Sequence, residues 1–263
     1  MDDAVQYRLE AGVATVVLNQ PESMNTMNPA LLEAVTAALE RASEDDEVRV
    51  LVLTGTGRAF CAGGNLNNFA AGQGTDLPVA TRISQLRIAM RTSQLLHEMP
   101  KPTIASINGA CAGAGFAWAC AADLRYCAES ARFNTAFLTA GLSGDFGGSW
   151  TLPRIVGPAK ARELYLLPDK FDGRTAERIG LVSQCVPDAE LPRLVAGIAE
   201  RLCAAAPLAI RAIKRNFNES AANDFATQLD READRHARLQ YTDDAKEAAA
   251  AFLAKRRPVF NGR

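Results

Sequence analysis

The first forty residues set out two different hydrophobic periods. Val5 to Leu9 and Val13 to Asn19 are rich in β-branched residues and are separated by Glu10-Ala11-Gly12, which predicts two strands joined by a tight turn. Asn28-Pro29 then reads as an N-cap followed by proline at the first helical position. Leu31, Leu32, Val35, Ala38 and Leu39 recur on one face to about Ala42. The run Arg49 to Thr54 (RVLVLT) has the continuous apolar character of a buried strand. Strand, helix, strand in this order predicts an α/β unit with a right-handed crossover.

A glycine-rich loop is expected over Gly55 to Leu66, and the stretch around Ala70 to Pro78 carries no pattern. One helix is predicted from Ala80 to Glu98. A second α/β unit follows: strand Thr103 to Ile107, turn Asn108 to Gly113, an apolar helix to about Ala122, and strand Leu124 to Cys127. Beyond Phe133 the pattern predicts short helices at Ser149 to Val156, Ala159 to Leu167 and Thr175 to Ile179, then a strand Val182 to Val186. Leu191 to Ala205 is amphipathic, Pro207 opens another helix, and Asp224 to Gln240 and Asp243 to Lys255 are helical and charged. The expected organisation is an α/β core over residues 1–200 and a C-terminal helical region over 201–263, which docks on the core or between subunits. There is no repeat of solenoid length.

Composition narrows the ligand. Lys plus Arg total 29 against 30 Asp plus Glu, so the chain has no field suited to nucleic acid or an anionic membrane surface. A small-molecule ligand is expected instead. The six cysteines contain no C-x-x-C pair and, Cys61 apart, lie in apolar runs, which fits small buried side chains in a reducing compartment. His97 and His236 fall in different predicted helices without a Cys or paired acid nearby, so no zinc site or other metal centre is expected. The longest apolar stretch, Thr103 to Ala122, is interrupted by Asn108 and by glycines 109, 113 and 115, and reads as strand-turn-helix rather than a membrane span. Met1-Asp2-Asp3-Ala4 is acidic where a secretory signal is basic. A cytoplasmic protein is expected.

Two glycine-rich loops end successive predicted parallel strands: Phe60-Cys61-Ala62-Gly63-Gly64-Asn65-Leu66, and the segment from Asn108 to Trp118 that opens into the apolar helix. Ligands collect at the carboxyl ends of strands in α/β sheets, and free amides at a helix start stabilise an oxyanion. Neither loop fits G-x-G-x-x-G, and the lysine of a P-loop is missing. Two plain turns remain the alternative reading.

Four segments together resemble the crotonase (enoyl-CoA hydratase/isomerase) superfamily over nearly the whole chain: Asn19-Gln20-Pro21-Glu22-Ser23-Met24-Asn25, Arg58-Ala59-Phe60-Cys61-Ala62-Gly63-Gly64-Asn65-Leu66, Lys101-Pro102-Thr103-Ile104-Ala105-Ser106-Ile107-Asn108-Gly109 and Phe252-Leu253-Ala254-Lys255-Arg256-Arg257-Pro258. The resemblance implies an α/β spiral of ββα units with a C-terminal helical trimerisation region, a homotrimer or dimer of trimers, and a coenzyme A thioester as substrate with no further cofactor. It also implies that the thioester oxygen sits between the backbone amides of Gly64 and Ala114, the latter standing where the family usually has glycine. By the same resemblance Ala62, Gly64, Asn65 and Leu66 border the adenine, Arg58 meets the ribose phosphate, and Phe252 and Lys255 complete that pocket, from a neighbouring subunit if need be. For Arg58 and Lys255 the alternative is a solvated cation.

The acid and base positions depart from the family pattern. The two glutamates used by hydratases correspond to Ala117 and Phe137, and neither Ala nor Phe transfers protons, so ordinary two-carboxylate hydration is not expected. One carboxylate remains, in Gly141-Leu142-Ser143-Gly144-Asp145-Phe146-Gly147-Gly148-Ser149, a loop that resembles those of superfamily isomerases acting on 3-enoyl-CoAs and on the ring epoxide of phenylacetyl-CoA catabolism. A 1,3-proton shift needs one base, and Phe137, Phe146 and Trp150 are expected to wall Asp145 with apolar surface and raise its pKa. An enoyl-CoA isomerase using Asp145 with the Gly64 and Ala114 amides is the leading expectation. The alternatives are helix capping by Asp145, an aspartyl nucleophile as in aryl-CoA dehalogenases, thioester hydrolysis, an atypical hydratase, and a non-catalytic acyl-CoA-binding protein. Asp123, with Arg125 nearby, is expected to be structural, Phe116 and Trp118 to be core, and Cys61 has no basic partner.

Overall fold

The computed structural model describes residues 4–65, 72 and 77–263. Strands β1 (Val5–Glu10) and β2 (Val13–Leu18) form the expected antiparallel hairpin. Helix α1 (Pro29–Glu44) starts at Asn28, whose side-chain oxygen accepts from the Leu31 amide. Strand β3 (Val50–Gly55) then pairs parallel with β2.

From here the chain repeats one unit. Strand β3 is followed by β4 (Ala59–Cys61) and helices α2 (Val79–Ala89) and α3 (Arg91–Glu98). Next come β5 (Thr103–Ile107), β6 (Ala110–Ala112) and α4 (Ala114–Ala121). The third unit is β7 (Leu124–Ala128), β8 (Arg132–Asn134), α5 (Gly148–Val156) and α6 (Pro158–Leu166). In each, the first strand joins one sheet and the second strand joins another. With β9 (Phe171–Asp172), helix α7 (Gly173–Arg178) and β10 (Gln184–Val186), the sheets run β1-β2-β3-β5-β7-β10 and β4-β6-β8-β9.

Both faces of the larger sheet are covered, which is why its strands read as continuous apolar runs. On β3, Leu51 and Leu53 face the main core with α1 and α4, while Val50 and Val52 pack with Ile104 and Tyr126 against Leu191, Val195 and Ala199 of α8 (Leu191–Cys203). Every residue of α4 is buried, Phe116 and Trp118 among them. The helix fits against β4 because Gly115 has no side chain; a Cβ there would lie 2.2 Å from the Cys61 carbonyl oxygen. Trp118 donates its indole N–H to the Thr92 hydroxyl at 2.7 Å, tying α4 to α3.

Three expectations need correction. The loops expected at 55–66 and 108–113 contain β4 and β6, which pair parallel with each other; at three residues each they are too short for a period to be visible. The single helix expected from Ala80 to Glu98 is broken at Met90, with the Thr92 hydroxyl donating to the Ala89 carbonyl. The break separates a helix with no buried residue from one that buries Thr92, Ser93, Leu95 and Leu96. Asp123 is structural as expected, but through another partner. It accepts from the Thr103 amide and pairs with buried Lys214 at 2.7 Å, while Arg125 donates to the carbonyls of Leu181 and Ala122. Lys214 belongs to α9 (Pro207–Ser220), which precedes α10 (Phe225–Gln240) and α11 (Asp243–Leu253). The Lys214–Asp123 pair therefore fastens the C-terminal helices to the α/β core. Among the described residues no helix is long and apolar enough to cross a membrane.

Candidate active site

The two glycine-rich loops meet. Gly63 lies so close to the α4 start that a Cβ on it would be 3.3 Å from the Ala114 amide nitrogen. The first amides of an α-helix have no acceptor within the helix, and those of α4 begin at Ala114. The positive φ that the turn requires falls on Gly113 (52°), not on Ala114, so alanine is accommodated at the amide position without backbone strain. On the facing loop, the Met27 amide donates to the Gly63 carbonyl at 2.7 Å in a parallel bridge between Met27 and Gly64. That bridge turns the Gly64 amide away from Met27, and Gly64 is exposed with open space beside its Cα.

Two asparagines hold this loop. Asn25 is fully buried, donates to the carbonyls of Thr56 and Ala59, and accepts from the Gln20 amide. Asn108 donates to the Gly57 carbonyl. Their sequence signal was present in the 19–25 and 101–109 segments, although spacing alone did not reveal their structural task. Ala62 donates its amide to the Met24 carbonyl, and Asn65 is partly buried in the same loop. Arg58 is exposed at the entrance to β4. Leu66 lies outside the described residues. Phe252 and Lys255 are exposed at the end of α11, which packs against α10.

Cys61 is fully buried, and burial pushes its thiol up to about 12. A thiol so protected is a poor nucleophile at neutral pH.

Asp145 lies in the turn between a single 3-10 turn at Leu138–Ala140 and α5. The carboxylate does not cap α5. The Gly148 amide donates to the backbone carbonyl of Asp145 at 3.2 Å, and the helix has no side-chain cap. Asp145 Oδ1 is buried and without a hydrogen-bond partner. Burial alone pushes the carboxyl up to about 6. Buried Phe137 and Phe146 flank this segment as expected; Phe146 meets Trp118 edge-on at 6.0 Å and Phe137 stacks on Tyr165 at 6.0 Å. Trp150 is a weaker wall than expected. It is 40% exposed, with His97 edge-on at 5.0 Å and the Arg154 guanidinium over its ring.

Gly148 lies against Ala117 of α4 and against Tyr165. A Cβ on Gly148 would lie 3.4 Å from the Ala117 Cβ and 2.3 Å from the Tyr165 hydroxyl. Tyr165 was not singled out in the sequence, because a tyrosine among Leu164, Leu166 and Leu167 reads as ordinary helix packing. Its hydroxyl is nevertheless buried and unpartnered.

Two sheets wound by repeated ββα units, with two glycine-rich loops meeting at a buried helix start, define an α/β spiral of the crotonase type. A family model described as enoyl-CoA hydratase/isomerase matches residues 8–263. The chain is 39% identical over 259 residues to a Rhodobacter capsulatus protein named "Probable enoyl-CoA hydratase", covering 98% of each. It is 35% identical over 266 residues to the 1,2-epoxyphenylacetyl-CoA isomerase of Escherichia coli, covering all of both chains. It is also similar to the solved structure of an enoyl-CoA hydratase from Polaromonas, with a TM-score of 0.91, 33% identity, and coverage of 98% of this chain and 99% of the other. The chain belongs to the enoyl-CoA hydratase/isomerase family.

Proposed function

We propose that the protein is an enoyl-CoA isomerase that moves a double bond, in a chain or a ring-type acyl group, with Asp145 as its single base. The observation that carries this reading is the state of the three acid/base positions. Ala117 and Phe137 hold no transferable proton, while Asp145 presents a buried, unpartnered carboxylate oxygen whose pKa is pushed up to about 6. A base of that strength, close to neutral, is suited both to taking a proton from carbon and to giving it back.

For a 3-enoyl thioester, Asp145 takes a proton from C2. The C–H electron pair moves into a dienolate whose negative charge rests on the thioester oxygen. Protonated Asp145 returns the proton at C4, the double bond settles between C2 and C3, and the base is restored. The amides of Gly64 and Ala114 stabilise the developing charge by a few kcal/mol. No cofactor beyond the coenzyme A thioester is required for this balance. Arg58, Ala62, Asn65 and Leu66 border the coenzyme, with Phe252 and Lys255 supplied by a neighbouring subunit of a homotrimer or dimer of trimers.

The test is conversion of 3-enoyl-CoA to 2-enoyl-CoA, followed by its ultraviolet absorbance, with a ring-epoxide thioester as a second substrate. Asp145→Ala is expected to lower kcat at least a hundredfold. Full activity in that variant, or no turnover of either substrate class by the wild type, overturns the reading. A second reading is specifically favoured by the Rhodobacter relative's name: hydration, with Asp145 acting on a water. Formation of 3-hydroxyacyl-CoA from 2-enoyl-CoA, lost in Asp145→Ala, identifies it.

A further inference from the structure

Two buried side-chain oxygens without hydrogen-bond partners belong to one turn and the helix beneath it: Asp145 Oδ1 and the Tyr165 hydroxyl. Tyr165 lies under both ends of the turn. A Cβ on Gly144 would sit 3.1 Å from the ring, and a Cβ on Gly148 would sit 2.3 Å from the hydroxyl, so the turn closes over Tyr165 only with glycines there. The tyrosine is also held from the other side. Its ring lies within 7° of parallel to Phe137, and the carbonyl of its neighbour Leu164 accepts from the Thr135 hydroxyl at 2.7 Å.

A hydroxyl buried without a partner costs about 1–3 kcal/mol, which phenylalanine at the same place would not incur. The Asp145 carboxylate, whose charge reaches Tyr165, has one oxygen without a donor. Burial, with smaller contributions from Cys120 and Asp145, pushes the Tyr165 hydroxyl upward, so it stays protonated and keeps its proton to donate. The titratable groups around the pair are few. Cys120 on α4 is pushed up to about 12 and stays neutral, and His97 on α3 and Arg154 on α5 both meet Trp150.

We propose that Tyr165 is a positioning residue for Asp145: in the working site its hydroxyl donates to one carboxylate oxygen and leaves the other to face the substrate carbon. The proposal rests on the reading of Asp145 as the base. It gives a physical reason for two residues at once: a donor at 165 and no side chain at 148 to displace it. A carboxylate fixed by one donor presents a single oxygen to both carbons of the proton shift, and its ionised form is stabilised against burial.

The test is Tyr165→Phe, which keeps the ring and removes the donor. The expected result is a fall in kcat on 3-enoyl-CoA on the order of tenfold with KM little changed, and an acidic limb of the pH profile displaced upward by about one unit. A 13C NMR titration of the Asp145 carboxyl in the substrate-free protein is expected to move the same way. A wild-type pH profile and a wild-type carboxyl titration in Tyr165→Phe reduce the tyrosine to packing and overturn the proposal. If Asp145→Ala keeps full activity, the reading of Asp145 as base falls, while the NMR titration still scores the Tyr165–Asp145 pair by itself. Gly148→Ala supplies a separate check. It is expected to lower Tm in the wild type and to cost little in the Tyr165→Phe background, where the nearest remaining atoms are the Ala117 Cβ at 3.4 Å and the ring carbon at 3.6 Å. Equal losses in both backgrounds overturn the placement of the hydroxyl.

Discussion

Asp145 is held in a state that costs stability. Its folded pKa of about 6 lies above the ordinary 3.8, so the folded protein holds this proton more tightly than the unfolded chain does. The stability this contributes is complete below about pH 4 and is lost as pH rises through about 6. Asp145→Asn is therefore expected to be more stable than the wild type at pH 7.5, by up to about 3 kcal/mol, and to match it at pH 4. Thermal unfolding at the two pH values checks this; an equal or lower Tm for the variant at pH 7.5 contradicts it. With Asp145 as the proposed base, the sign for activity is the opposite, since a base works only when ionised, and kcat/KM is expected to fall as pH drops below about 6. Asp145 was visible in the sequence as a candidate base, through a loop that resembles those of superfamily isomerases. Tyr165 was not, because whether a helical tyrosine satisfies its hydroxyl depends on residues 144–148, which only folding places above it.

At the scale of elements, long strands and helices declared themselves and short ones did not. β3 and β5 are buried on both faces and read as apolar runs, and α1 carries both its cap and its stripe. β4, β6, β8 and β9 have two or three residues each and take their conformation from the neighbours they pair with. The attachment of the C-terminal helices was equally hidden. Lys214 looks like a surface residue of a charged helix, yet it is 8% exposed and bonded to Asp123 and to the carbonyls of Leu96 and Lys101. Removing one partner of a buried pair strands the other charge. Lys214→Ala is expected to cost about 3 kcal/mol in urea unfolding, and a loss under 1 kcal/mol would show that water replaces the ammonium.

At the scale of the whole molecule, α9 to α11 leave large apolar side chains uncovered. Ile213 and Phe217 on α9, Phe225 at the start of α10, and Phe252 on α11 are all more than half exposed. Such surface supports the trimer proposed above. Analytical ultracentrifugation is expected to give the mass of three or six chains, and Phe217→Glu to lower it. A monomeric wild type contradicts the assembly.

The sequence by itself determined the order of the longer elements and the family, because these depend on local period and motif. The tertiary structure decided how the molecule is joined and how its acid is set. Asp145 acquires its raised pKa from the aromatic surface and backbone that exclude water, Asp123 finds Lys214 rather than Arg125, and Tyr165 arrives beneath a turn whose glycines make room for it. Each is a relation in the space that the folded chain shares. Burial and pairing are properties of that shared space, which no spacing along the sequence records.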